Sequence, residues 1–137
     1  MAFRSYVASA CVVVLINSSA AMAQESFRCL LTKLGSAGGW IPSEINVTHD
    51  HDKGKVVVSY ALNGEPVSLM SRQWVETDNQ RRTTFRWNAA AITASQSANM
   101  VYRLTIQKKG LSATVNATPE GYSNSFHASG LCAQVKD

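Results

Sequence analysis

Val101-Tyr102-Arg103-Leu104-Thr105-Ile106-Gln107, then Lys108-Lys109-Gly110, then Leu111-Ser112-Ala113-Thr114-Val115-Asn116-Ala117-Thr118: this stretch decides the fold. Tyr102, Leu104 and Ile106 fall on one side of an extended chain, and Arg103, Thr105 and Gln107 on the other. After a turn, Leu111, Ala113, Val115 and Ala117 alternate with Ser112, Thr114, Asn116 and Thr118 in the same way. A period of two is the pattern of a half-buried strand, so the stretch reads as a β-hairpin with one buried face.

The pattern spreads outward in both directions. Asn63-Gly64 is the strongest local turn signal, because both residue types tolerate the positive φ of a type I′ turn. It joins Lys55–Leu62 to Val67–Val75, and Pro66 beside it marks an edge or a bulge, since proline has no N–H to give to a ladder. Asp52-Lys53-Gly54 and Asp78-Asn79 mark further turns, and Phe85, Trp87, Ala89 and Ala91 alternate with polar neighbours after the second. About eight strands are expected, over 26–33, 43–49, 55–62, 66–76, 81–92, 99–108, 111–118 and 124–134. The fold class is all-β, a single small antiparallel β-barrel or barrel-like sandwich of meander topology.

Residues 1–23 read as a secretory signal peptide. Arg4 gives a positive start, Tyr6–Ile16 an apolar run, and Ala21-Met22-Ala23 a small-residue cleavage site. The run is about half the ~20 residues that a membrane span requires. Cys11 as a lipid-attachment site fits less well, because the apolar Val12–Ile16 follows it instead of preceding it. Cleavage would leave 114 of the 137 residues, a single domain at 24–137, and lower the net charge from +4 to +3 by removing Arg4. The chain is then not an integral membrane protein, and secretion places it in the bacterial periplasm.

Two cysteines remain, Cys29 and Cys132, one near each end. Thiols in an oxidising compartment usually pair. Bonded cysteines bring their backbones within about 5.5–6 Å, so the first and last strands should be neighbours. In a meander that closeness closes the sheet and removes its edges.

Signals for chemistry are few. A net charge of +4 without a long basic cluster is too weak for a nucleic-acid binder. No G-x-S-x-G elbow, paired-carboxylate pattern or phosphate-cradling glycine loop is present, so no catalytic residue and no cofactor is assigned. Asn46-Val47-Thr48 and Asn116-Ala117-Thr118 match the glycosylation sequon but lie within expected strands. His49 and His51 would share a strand face and could chelate zinc, but they run directly into a turn, and a third ligand is needed.

Trp40 beside Gly38-Gly39, Tyr122 in Gly121-Tyr122-Ser123-Asn124, and Arg81-Arg82 fall on expected loops and make a candidate recognition surface. The leading function is therefore a small secreted binding or inhibitory protein acting through its loops on an envelope protein or an acidic polymer. In size, leader and terminal cysteines the layout is similar to small disulfide-stapled periplasmic barrels that inhibit lysozyme, though no loop motif matches residue by residue. The alternatives are a small-ligand carrier using the barrel interior and, lower, a metal-dependent enzyme at His49 and His51.

Overall fold

The computed structural model describes residues 11–12 and 24–136. The expected leader otherwise lies outside the described residues. Nine antiparallel strands form one sheet: β1 (Gln24–Lys33), β2 (Glu44–Asp50), β3 (Lys55–Leu62), β4 (Glu65–Ser71), β5 (Val75–Asp78), β6 (Arg82–Ile92), β7 (Ser97–Gln107), β8 (Ser112–Pro119) and β9 (Phe126–Val135). Among the described residues the only helical segment is a short 3₁₀ turn at Gly35–Ala37. No helix there is long and apolar enough to cross a membrane.

The spatial order is β4-β3-β2-β1-β9-β8-β7-β6-β5. The terminal strands β1 and β9 pair directly, with Cys29 opposite Cys132, and the two cysteines are disulfide-bonded. The first and last strands thus meet in the middle of the sheet, as the cysteine argument requires. The open seam lies instead between β4 and β5. Both of these strands run in the same direction: β4 is antiparallel to β3, β5 to β6, and Ser71 and Asp78 both reach the same end of the sheet. A ring of nine strands cannot be antiparallel throughout, because an odd count leaves one parallel neighbour pair. Here β4 and β5 stand at the two ends of the strand order without pairing with each other, and the sheet is a curled half-barrel.

The single strand expected over 66–76 is two strands. Ser71 Oγ accepts the Gln73 N–H at 3.1 Å, turning the chain, and Arg72–Trp74 carry it from one sheet edge to the other. Pro66 lies on edge strand β4, where its missing N–H disrupts no inner ladder. The Asn63-Gly64 turn has φ of 52° and 83°, as its type demands.

The curl brings the two wings of the sheet face to face around one core. Ile45, Val47, Val56, Val58 and Tyr60 come from β2 and β3; Phe85, Trp87, Met100, Tyr102 and Leu104 come from β6 and β7; all are buried. Trp87 stacks on Tyr102 with centroids 5.4 Å apart, and Tyr60 lies 6.2 Å from Trp87. Such aromatic pairs add about 0.5–1.5 kcal/mol beyond area burial. The interior that a carrier would leave open is filled here by Trp87, Tyr102 and Leu104.

The β1–β9 seam is tight. Thr32 is an extra residue opposite β9, between the Leu31–Gly130 and Lys33–Ser129 pairs. A Cβ at Gly130 would meet the Leu30 carbonyl oxygen and carbon and the Leu31 Cα, all backbone. Gly130→Ala should therefore destabilise by about 2 kcal/mol or more, since backbone cannot step aside as a side chain can. A shift of less than about 0.5 kcal/mol in urea unfolding would show that this approach is not close in solution. The disulfide spans 103 residues of sequence. Replacing both cysteines by Ala should cost up to about 4.7 kcal/mol by the chain-entropy argument, read from the same unfolding curves; a loss below about 1 kcal/mol would contradict it.

Candidate functional site

The two ends of the half-barrel differ. One carries short turns: β2–β3, β5–β6 and β7–β8. The other carries the longer β1–β2 and β8–β9 loops with the β3–β4 and β6–β7 turns.

At the loop end, Trp40 is held from three sides. Its ring stacks on Phe126 at the start of β9, with centroids 5.6 Å apart and planes 20° from parallel. Its carbonyl accepts a hydrogen bond from the Tyr102 hydroxyl at 2.7 Å. The loop beside it is tied down by Asn63, whose side-chain amide donates to the Gly39 carbonyl at 3.0 Å and the Ile92 carbonyl at 2.8 Å. The Asn63 turn residue thus also laces three loops together. Pro119 at the end of β8 and Tyr122 in the next loop complete a cleft of about 460 Å³. Gln96, Ser97 and Asn124 supply polar groups at the cleft, and none of its lining side chains is charged. Tyr122 is 69% exposed.

Of the four residues expected to form a recognition surface, the fold therefore unites Trp40 and Tyr122. It places the other two at the opposite end, Arg81 in the β5–β6 turn and Arg82 as the first residue of β6, where Asn79 Oδ1 accepts both their backbone N–H groups at 2.8 and 3.0 Å. Phe126, Gln96 and Asn124 were not singled out from sequence. Phe126 closes the Gly121–Ser125 loop and could have been suspected from that position; Gln96 carried no signal.

The turn end gathers ionisable groups. His49 continues the inward-facing series of Ile45 and Val47 on β2 and is 5% exposed. Its ring meets the Phe85 ring edge-on, 5.7 Å between centroids. His51 lies just beyond β2, its ring 4.0 Å from that of His49. Burial, and then the neighbouring His51, lower the His49 pKa from the ordinary imidazole value, so the neutral ring is favoured. Glu25 Oε2 lies 3.3 Å from His51 Nε2. Asp78, the last residue of β5, accepts from Lys108 Nζ at 2.7 Å and from the Thr83 hydroxyl at 3.3 Å. The Lys108 hydrogen bond holds the Asp78 carboxyl below its usual range. The third residue that a His49–His51 pair requires is thus present, and it comes from a strand that no sequence pattern linked to β2.

Comparison with protein-family models, with curated proteins and with solved structures finds no significant match.

The core tyrosines link stability to pH and the core to the cleft. Burial raises the Tyr102 hydroxyl well above the ordinary tyrosine range, with the nearby Tyr60 adding to it. Burial likewise raises Tyr60, partly offset by the hydrogen bond from Trp87. In the unfolded chain both ionise near pH 10. Above that pH the unfolded state binds fewer protons than the folded one, so the stability these two tyrosines contribute is fully present below pH 10 and is lost as pH rises beyond it. Tyr60→Phe with Tyr102→Phe should flatten this alkaline fall in urea unfolding between pH 8 and 11. Tyr102→Phe alone should also cost about 1 kcal/mol at neutral pH through the lost bond to the Trp40 carbonyl. An alkaline slope that survives the double substitution would contradict the assignment.

Proposed function

We propose that the protein is a small exported binding protein of the bacterial periplasm that takes a segment of a protein partner in the Trp40–Tyr122 cleft and can inhibit the partner by occupying it. The observation that carries this reading is the convergence of two loop aromatics, far apart in sequence, on one open cleft at the end of a filled half-barrel. Aromatic side chains offer large contact area at low entropic cost, and the amides of Gln96 and Asn124 can pair with a partner's backbone. The Cys29–Cys132 bond accords with an oxidising compartment.

The uncharged lining favours a protein segment over an acidic polymer, since the arginines that would attract a polyanion lie at the other end. The filled core favours surface recognition over carriage of a small ligand in the interior.

A photoreactive phenylalanine analogue placed at position 122 tests this in the cells that make the protein. The expected result is a discrete adduct in the envelope fraction, lost when Trp40→Ala is added, and absent when the analogue sits at position 53 in the β2–β3 turn. Equal adducts from positions 53 and 122, or none from 122, would overturn the cleft as the recognition surface.

A further inference from the structure

We propose that the turn end of the half-barrel is a binding site for a first-row divalent metal ion of zinc type, with His49, His51 and Asp78 as its ligands. The three side chains offer ligand atoms that all lie within 4.8 Å of one another. Two imidazoles and one carboxylate form a donor set that zinc accepts, with a fourth position left for water.

The fold accounts for how these residues meet. β2 and β5 are well separated in the sheet order, and the curl alone sets them opposite each other. His49 is fixed: it is buried and its ring is braced by Phe85. His51 and Asp78 lie at the surface, held only by surface partners: Glu25 for the first, Lys108 and Thr83 for the second. Ligand atoms of tetrahedral zinc stand about 3.4 Å apart for bond lengths near 2.1 Å, so from a separation of at most 4.8 Å the site would need to contract by up to about 1.4 Å, through rotation of the His51 and Asp78 side chains.

The surroundings match what metal-binding histidines use. The Glu25 carboxylate sits at His51 Nε2, in the manner of the outer carboxylates that orient metal-bound imidazoles. Lys108 and Thr83 both hydrogen-bond Asp78 at Oδ1. The Lys108 and Asp78 side chains are 45% and 32% exposed, and ion pairs near the surface contribute little stability that a competing cation would have to displace. A bound ion would join β2 to β5 beside the β4–β5 seam, so binding should stabilise the folded state by mass action.

Zinc titration of the untagged protein by calorimetry tests the site. One ion per chain is expected, with a melting temperature that rises with zinc concentration. Affinity should fall at least tenfold in His51→Ala and in Asp78→Asn, both exposed positions whose substitution leaves the core intact. His127→Ala should bind as the wild type does, because His127 lies on the outer face of β9 beside Asn116. The proposal is overturned by the absence of saturable binding, or by His51→Ala and Asp78→Asn proteins that bind zinc as tightly as the wild type.

Discussion

The pairing of β1 with β9 is the constraint on which the rest of the structure depends. It places the first and last strands at the centre of a nine-stranded sheet, so the most distant parts of the chain make its innermost ladder. Every other neighbouring pair that follows the meander is local. Loop-closure entropy is therefore concentrated in one long-range contact, and the Cys29–Cys132 bond offsets that cost by holding the contact in the unfolded chain as well. The same seam admits only glycine at position 130, because the β1 backbone at Leu30 and Leu31 passes directly over it.

From this arrangement the functional geography follows. With β1 and β9 paired at the centre, the ends of the strand order fall at β4 and β5, which Arg72–Trp74 connect. The curl presses β2 and β3 against β6 and β7, and the Tyr60–Trp87–Tyr102 cluster fills the space between them. One consequence appears at each end. At the loop end, the Tyr102 hydroxyl reaches out of the core to hold Trp40, so the cleft is anchored to the best-packed part of the protein. At the turn end, the facing wings leave His49 opposite Asp78.

Much of the fold was legible in the sequence because its strands bury one face. Tyr102, Leu104 and Ile106 on one parity, and Val115 with Ala113 and Ala117 on the next strand, announce a half-buried hairpin and are all buried. Cys29 and Cys132 likewise announced the contact between the terminal strands. The division of 66–76 was not legible, because Ser71 and Gln73 are ordinary strand residues whose turn depends on one side-chain hydrogen bond. Trp40 and Tyr122 were legible as loop aromatics flanked by glycine. Their meeting was not, because it depends on the position of the β1–β2 loop over β9. Asp78 was read as a turn residue but is the last residue of β5, just before the turn; its approach to His49 and His51 is a property of sheet curvature, which a period of two does not encode. Arg81 and Arg82 were legible as residues at a turn, but the strand order puts them at the end opposite Trp40 and Tyr122, which the sequence pattern alone does not encode.

Amide hydrogen exchange across the nine strands tests the central claim most directly. If the β1–β9 ladder is the organising contact, its amides, with that of Cys132 bonded to the Leu111 carbonyl at 2.8 Å, should exchange only through global unfolding, while those of β4 and β5 exchange through local opening at much lower free energy. Exchange of the β1 and β9 amides as fast as that of the edge strands would contradict the account.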